Sequence, residues 1–175
     1  EAFVNQEFDQ FTKALDMNIT VVREATPLGT GGAVHNALSK LKFDGRFIVI
    51  NADTWLSSGM REMSSLECNA IGVIEMSFPD RYGTVELEGS RVSAFKEKIV
   101  GLNRGLINAG IYSLHASVFQ KFKTGTVFSL ERDILPSLAL AGELQAVNLK
   151  TDFFDIGVPE DYKRFQEWFV INLKK

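Results

Sequence analysis

The sequence predicts an α/β sandwich with a mixed sheet. Three observations carry this. Short strand-like runs alternate along the chain with segments of helical period. A late pair of alternating segments, joined by Gly89-Ser90, reads as a β-hairpin. Two apolar strand-like runs end in aspartates, Phe47-Ile48-Val49-Ile50-Asn51-Ala52-Asp53 and Phe153-Phe154-Asp155. In open α/β sheets, ligands bind beyond the carboxyl ends of strands, where those aspartates fall.

Each element has its own signal. Residues 1–15 read as an amphipathic helix, with Phe3, Phe8, Phe11 and Leu15 near helical spacing. Asn18 to Glu24 reads as a strand. Ala25 to Thr30 is a loop, broken by Pro27 and Gly29. Gly32 to Leu41 reads as helix, Arg46 to Asn51 as strand, Gly59 to Glu67 as a weaker helix. Ala70 to Ser77 is a buried strand. Tyr82 to Phe95 forms the hairpin, and Leu106 to Leu114 a further strand. Ser117 to Phe122 and Leu130 to Leu140 read as helices, the second N-capped by Ser129. Leu144 to Lys150 is strand-like. Pro159 suits a first helical turn, and Glu160 and Asp161 complement its dipole. That last helix is expected to bury Phe165, Trp168 and Phe169.

Composition narrows the function. A chain of 175 residues is one domain's worth, and 45% hydrophobic content with 14 Phe suffices for a core. A net charge of −3 without a dense basic run argues against a nucleic-acid surface. Cys68 stands alone, so no intrachain disulfide forms, and a reducing cytoplasm fits. No apolar stretch is long enough to span a bilayer, and no signal peptide is expected. His35 and His115 lack partners at ligand spacing, so no zinc site is expected. Trp168, Phe169, Val170 and Ile171 suit either a core or an interface between copies of the chain.

The chemistry-bearing residues start with Asp53 and Asp155. Converging carboxylates suit Mg²⁺, a hard cation that shares itself with substrate phosphates; taken singly, each is an ordinary loop aspartate. Pro27-Leu28-Gly29-Thr30-Gly31-Gly32-Ala33 lies between a strand and a helix. Its glycines permit close backbone approach to a ligand at a helix N-terminus, which favours anions. They equally suit a tight strand-to-helix turn.

Taken together, the runs PLGTGGAV (27–34), VINADTWL (49–56), DRYGTVEL (80–87), FKEK (95–98), LINAGIY (106–112), FSLERDILP (128–136) and FFDIGVPEDY (153–162) resemble the sugar-phosphate nucleotidyltransferases. They fall in that family's order over nearly the whole chain. Within it they look most like D-glycero-D-manno-heptose 1-phosphate guanylyltransferases, with mannose 1-phosphate guanylyltransferases next. The resemblance implies a Rossmann-like three-layer α/β/α sandwich with a mixed, mainly parallel sheet. It implies one nucleotidyltransferase domain over residues 1–175, lacking an N-terminal strand-loop unit, because the family's triphosphate loop has no match here.

It also implies a reaction. A sugar 1-phosphate attacks the α-phosphate of a nucleoside triphosphate, releasing pyrophosphate. Such chemistry relies on positioning and charge neutralisation. Asp53 and Asp155 match the family's Mg²⁺ ligands. Glu97 matches an acceptor for sugar hydroxyls and Lys98 a contact to the sugar phosphate, although such a pair also occurs as a solvated strand end. Ile99 stands where the family usually has proline. Asn108 matches a sugar-hydroxyl contact, or else marks a bulge in a strand. Gly83 matches a backbone contact to the sugar. Gly29 and Thr30 fall in the nucleotide loop. Glu24 falls where the family reads the base. A carboxylate only accepts, which suits the two adjacent donors of guanine and favours GTP over UTP, CTP or dTTP; it also reads as an exposed strand-end residue. The alternative from another class is a non-catalytic subunit that binds nucleotide-sugars, against which the presence of both aspartates counts.

Overall fold

The computed structural model describes residues 18–172 apart from Glu97 and Ile99. The helix expected over residues 1–15 therefore lies outside the described residues. The strands are β1 (Arg46–Ile50), β2 (Thr54–Leu56), β3 (Ala70–Ser77), β4 (Thr84–Glu88), β5 (Arg91–Lys96), β6 (Arg104–His115), β7 (Gln145–Asn148) and β8 (Phe153–Asp155). The α-helices are α1 (Gly29–Leu41), α2 (Met60–Ser64), α3 (Leu135–Leu140) and α4 (Pro159–Asn172).

Six strands form one sheet in the order β1-β6-β3-β7-β5-β4, and β2 pairs with β8 in a separate ribbon. The sheet is mixed, as expected. It is less parallel than the sequence reading had it. Among the described strands β3 and β7 form the parallel pair, while β6 runs antiparallel to both β1 and β3. The reason is β6 itself, a long strand that returns through the middle of the sheet, together with the antiparallel hairpin β4–β5. In that hairpin Glu88 pairs with Arg91, leaving Gly89-Ser90 as the link, with Gly89 at φ +63°.

Strand alternation sends side chains to both faces. Ile71, Val73, Tyr112 and Leu114 pack with Phe128, Leu130, Ile134 and Leu138 on one face, where Val34 and Leu38 of α1 join them. Ala70, Ile74, Ile107, Ala109 and Ile111 pack with Met63 of α2 and with Leu149 on the other. Two cores on one sheet make the three layers. Burying a side chain of this size stabilises by roughly 1.5–3 kcal/mol, so both cores contribute substantially.

Several elements depart from the sequence reading. Asn18 to Glu24 forms no strand: the segment is mostly exposed and pairs with no strand among the described residues. Its β-branched residues favour extension, but a strand needs a ladder partner. Helix α1 starts earlier than expected, at Gly29. The expected helix over 130–140 divides into a π-helical turn, Leu130–Ile134, and then α3. Pro136 has no N–H to continue an α-helical ladder there. Ser129 caps it as read, its hydroxyl accepting from Arg132 N at 3.2 Å. Helix α2 is shorter than read, because Ser64 and Ser65 turn their hydroxyls back onto the carbonyls of Arg61 and Glu62. On α4, Phe165 and Trp168 pack against Trp55 and Phe154 of the ribbon. Phe169 does not join them in burial: its ring meets Phe165, and it stays exposed. Among the described residues no helix is long and apolar enough to cross a membrane.

Candidate active site

The two acidic ends meet. Asp53 follows β1 and immediately precedes β2, and Asp155 ends β8. The ribbon pairs Thr54 with Asp155, and Ile156 N donates to the Asp53 carbonyl at 2.8 Å. This backbone pairing brings the carboxylates together across a sequence gap of a hundred residues. Gly157 reports their proximity. A Cβ at that position would lie 3.0 Å from Asp53 Oδ2 and 3.4 Å from Asp155 Oδ1. Both carboxylates thus reach one point, and a glycine there leaves the point open.

A cleft of about 250 Å³ opens beside them, lined by Asn51, Asp53, Thr54, Tyr82, Gly83, Asn108, Gly110, Phe153 and Asp155. Four residues singled out from sequence are among these: Asp53, Gly83, Asn108 and Asp155. The cleft floor comes from a bulge in β6. Ile71 pairs with Tyr112, yet Val73 pairs with Asn108, so β6 carries extra residues against Gly72. Gly110 takes φ +67° inside the bulge, and a Cβ there would strike Thr54 Oγ1 at 2.5 Å. Bulges re-aim side chains, and this one re-aims Asn108. The Asn108 carbonyl oxygen accepts from Gly110 N at 2.9 Å, and its amide donates to the Tyr112 hydroxyl at 2.8 Å. A second amide hydrogen and a second lone pair remain for a ligand.

Gly83 stands at the head of β4, where its α-carbon faces the Lys96 carbonyl; a Cβ would lie 2.8 Å from that oxygen. The loop carrying Gly83 therefore rests directly on the end of β5. Lys98 follows β5 and is exposed, outside the residues that line the cleft. Glu97 lies outside the described residues. Glu24 is exposed on the segment before α1 and does not line the cleft.

The glycine-rich segment is shaped by packing. Gly31 N and Gly32 N both donate to the Phe128 carbonyl, at 3.1 and 3.2 Å, so these first-turn donors of α1 are already satisfied. A Cβ on Gly29 would lie 2.6 Å from Phe128 O, and one on Gly32 would lie 2.6 Å from Thr126 O. Gly29 and Thr30 remain at the exposed start of the helix. The Thr30 hydroxyl donates to Glu131 at 2.7 Å and accepts from Leu130 N at 2.9 Å.

Glu131 is the residue sequence reasoning passed over. It lay inside the run FSLERDILP without being singled out. In the structure its carboxylate accepts from both Thr30 and Ser129. It also acts on Tyr112, whose phenol is pushed far above its usual range, mainly by burial, with the Asn108 donor opposing and the charge of Glu131 adding to the rise. Glu131 thereby links the start of α1 to the Asn108 bulge. Tyr82 also lines the cleft; its phenol is likewise raised, first by burial and then, against the lowering effect of Arg81, by Asp155 and Asp161.

Two carboxylates at one open point, beside a polar cleft, are a fit for a hard divalent cation completed by substrate oxygens. No cluster of three or more His, Cys, Asp or Glu suited to a metal occurs among the described residues, so a cation here would take its remaining ligands from water and phosphate.

Residues 2–168 match the family model described as nucleotidyl transferase. The chain belongs to that family. It is 32% identical over 158 residues to D-glycero-alpha-D-manno-heptose 1-phosphate guanylyltransferase of Aneurinibacillus thermoaerophilus, covering 87% of this chain and 67% of that protein. It is 33% identical over 175 residues to probable mannose-1-phosphate guanylyltransferase 3 of Arabidopsis thaliana, covering 95% of this chain and 53% of the relative. It thus spans between half and two thirds of the length of these nucleotidyl transferase relatives. Among solved structures it resembles HddC from Yersinia pseudotuberculosis complexed with GMP-PN, with a TM-score of 0.75 and 33% identity, covering 94% of this chain and 74% of that one. The Rossmann-like fold of the nucleotidyl transferases is therefore its fold.

Proposed function

We propose that this chain carries the catalytic centre of a sugar 1-phosphate guanylyltransferase. It transfers GMP from GTP to a sugar 1-phosphate, for preference D-glycero-D-manno-heptose 1-phosphate, and releases pyrophosphate. The observation that supports this most is the meeting of Asp53 and Asp155 at the open point beside Gly157, on a cleft floored by Asn108. The named activities of the heptose and mannose relatives supply the nucleotide and the sugar class.

The chemistry follows from the placement. A phosphate oxygen of the sugar 1-phosphate attacks the α-phosphorus of GTP. The bond from that phosphorus to the α,β-bridging oxygen breaks, and its electron pair leaves with pyrophosphate. Mg²⁺, when bound, neutralises charge on the reacting phosphates. Asp53 and Asp155 are the residues that would hold it, each through its carboxylate. The free amide hydrogen and lone pair of Asn108 orient the sugar hydroxyls, and Gly83 brings backbone against the ring. Lys98 neutralises the sugar phosphate as a compact cation. Glu97, its neighbour in sequence, accepts from sugar hydroxyls. Glu24, Gly29 and Thr30 face the nucleotide, with Glu24 accepting from guanine. Nothing in this scheme needs a covalent enzyme intermediate; orientation and preorganised charge suffice.

Mannose 1-phosphate is the second reading, favoured by the Arabidopsis relatives at 33–35% identity. The lone Cys68, half-buried, suits a reducing cytoplasm. The deciding experiment assays the full-length protein for pyrophosphate release with GTP, CTP, UTP and dTTP, each against heptose, mannose and glucose 1-phosphates. Turnover confined to GTP with the heptose or mannose substrate is expected. Absence of turnover with every pair, alongside measurable nucleotide-sugar binding, would replace the enzyme reading with a non-catalytic binding subunit.

A further inference from the structure

We infer that the Arg81–Asp161 ion pair positions the sugar-facing loop, so that both residues control sugar 1-phosphate binding without touching the substrate. This rests on the sugar 1-phosphate reading above. Asp161 lies in the first turn of α4, which continues directly from Asp155 and Gly157. Its side chain is 5% exposed, a low value for a carboxylate. Two arginines from different elements enclose it. Arg164, on the same helix, donates to Oδ1 at 2.7 Å, and Arg81 donates to Oδ2.

Arg81 belongs to the loop that presents Tyr82 and Gly83 to the cleft. That loop is a tight turn, with Tyr82 N bonded to the Pro79 carbonyl at 2.9 Å. Asp80 fastens one side of it by accepting from Gly101 N at 2.9 Å. Arg81 fastens the other side to α4. Behind the loop lies a second cleft of about 260 Å³, lined by Phe78, Arg81, Tyr82, Phe153, Asp161 and Arg164. Tyr82 and Phe153, edge to face at 6.1 Å, line both clefts. The ring of Tyr82 therefore has room to fall back, away from the sugar side. The clamp to Asp161 opposes that movement, and the Tyr82 hydroxyl itself reaches Asp161 Oδ2 at 3.4 Å.

A helix-stabilising role for Asp161 is the competing account, since an acidic first turn complements the helix dipole. It makes a different forecast for Arg81 and Arg164. Both neutralise Asp161, but only Arg81 connects it to the sugar loop. In the full-length protein, Arg81→Ala and Asp161→Asn are expected to raise KM for the sugar 1-phosphate by at least about tenfold, with KM for GTP and kcat within about twofold. The double variant should be no worse than the worse single one, because the two act through one interaction. Arg164→Ala should leave all three constants within about twofold. Amide exchange over residues 80–83 should quicken in Arg81→Ala and not in Arg164→Ala, in the absence of any substrate.

The inference fails if Arg81→Ala leaves the sugar KM unmoved, raises both KM values alike, or is matched by Arg164→Ala. Should Asp161→Asn fail to fold, Arg81→Ala and the exchange comparison still decide. If the wild type turns over no sugar 1-phosphate, the functional reading falls, while the exchange data alone continue to judge the clamp.

Discussion

Replacing Asp155 by Asn should separate activity from stability, lowering the first without lowering the second. In the protein without metal, the Asp53 and Asp155 oxygens lie within 3.0 and 3.4 Å of one point beside Gly157. At a separation of roughly 6 Å, two unit charges in water repel by about 0.7 kcal/mol. Asp53 is exposed, so the water value applies rather than a larger interior one. Neither carboxylate has an ion-pair partner among the described residues. Asparagine keeps the shape and the backbone pairing with Thr54, and removes the repulsion. The melting temperature in EDTA should therefore hold or rise by about 1–3 °C for a chain of this size. Activity should fall. Losing one preorganised charge at a phosphoryl-transfer centre costs about 2.7–4 kcal/mol, or on the order of 10²–10³ in kcat. The assay is pyrophosphate release by the full-length protein at saturating GTP, sugar 1-phosphate and Mg²⁺, beside a thermal melt in EDTA. A kcat within about threefold of wild type, or a melting temperature lowered by more than about 5 °C, would refute the two-carboxylate account. The first result would mean that the charge is not used, and the second that it is structural.

Gly110→Ala forces a Cβ into Thr54 Oγ1 at a backbone φ of +67°, and should destabilise by about 1–3 kcal/mol in a denaturant melt. Glu24→Gln should weaken kcat/KM for GTP by roughly 1–3 kcal/mol, the scale for an unsatisfied buried donor, and for UTP or dTTP by less; an equal loss for all nucleotides removes Glu24 from base recognition. The buried Tyr112 phenol ionises well above its unfolded value. Its stabilising contribution is therefore complete below the unfolded pKa of about 10 and declines as pH rises beyond it, because the unfolded chain then binds fewer protons. Melts from pH 9 to 11 should show that decline, and Tyr112→Phe should lessen it.

The strand ends were legible because their signals are local. Apolar runs closing on Asn51-Ala52-Asp53 and on Asp155 need no partner to be recognised, and the ribbon β2–β8 then joins them as a strand-end site requires. Gly89-Ser90 was legible for the same reason, since a two-residue link admits few turn geometries. The segment Asn18–Glu24 misled because β-branched residues record a preference for extension and not the presence of a neighbour. The split at Pro136 was visible in the sequence and outweighed by the apolar period around it.

The glycine-rich run and Glu131 mark where local reading ends. From sequence, Gly29, Gly31 and Gly32 equally suited a ligand cradle and a tight turn. The structure shows two of their amides bonded to Phe128 O, and close contacts to Thr126 and Phe128 that a side chain would forbid. Those contacts come from a segment almost a hundred residues away, so no window around Gly31 contains them. Glu131 is the converse case. A carboxylate in a polar run looks like a solvated face, and only folding places it against Thr30 and near Tyr112. The two facts belong together. The glycines let α1 approach residues 126–131 closely enough for Thr30 to reach Glu131, and Glu131 in turn bears on the Tyr112–Asn108 pair under the cleft. Packing at the glycine run and polarity at the cleft are thus one connected arrangement, so a side chain added at Gly31 or Gly32 should disturb the Asn108 side of the cleft as well as the helix it sits in.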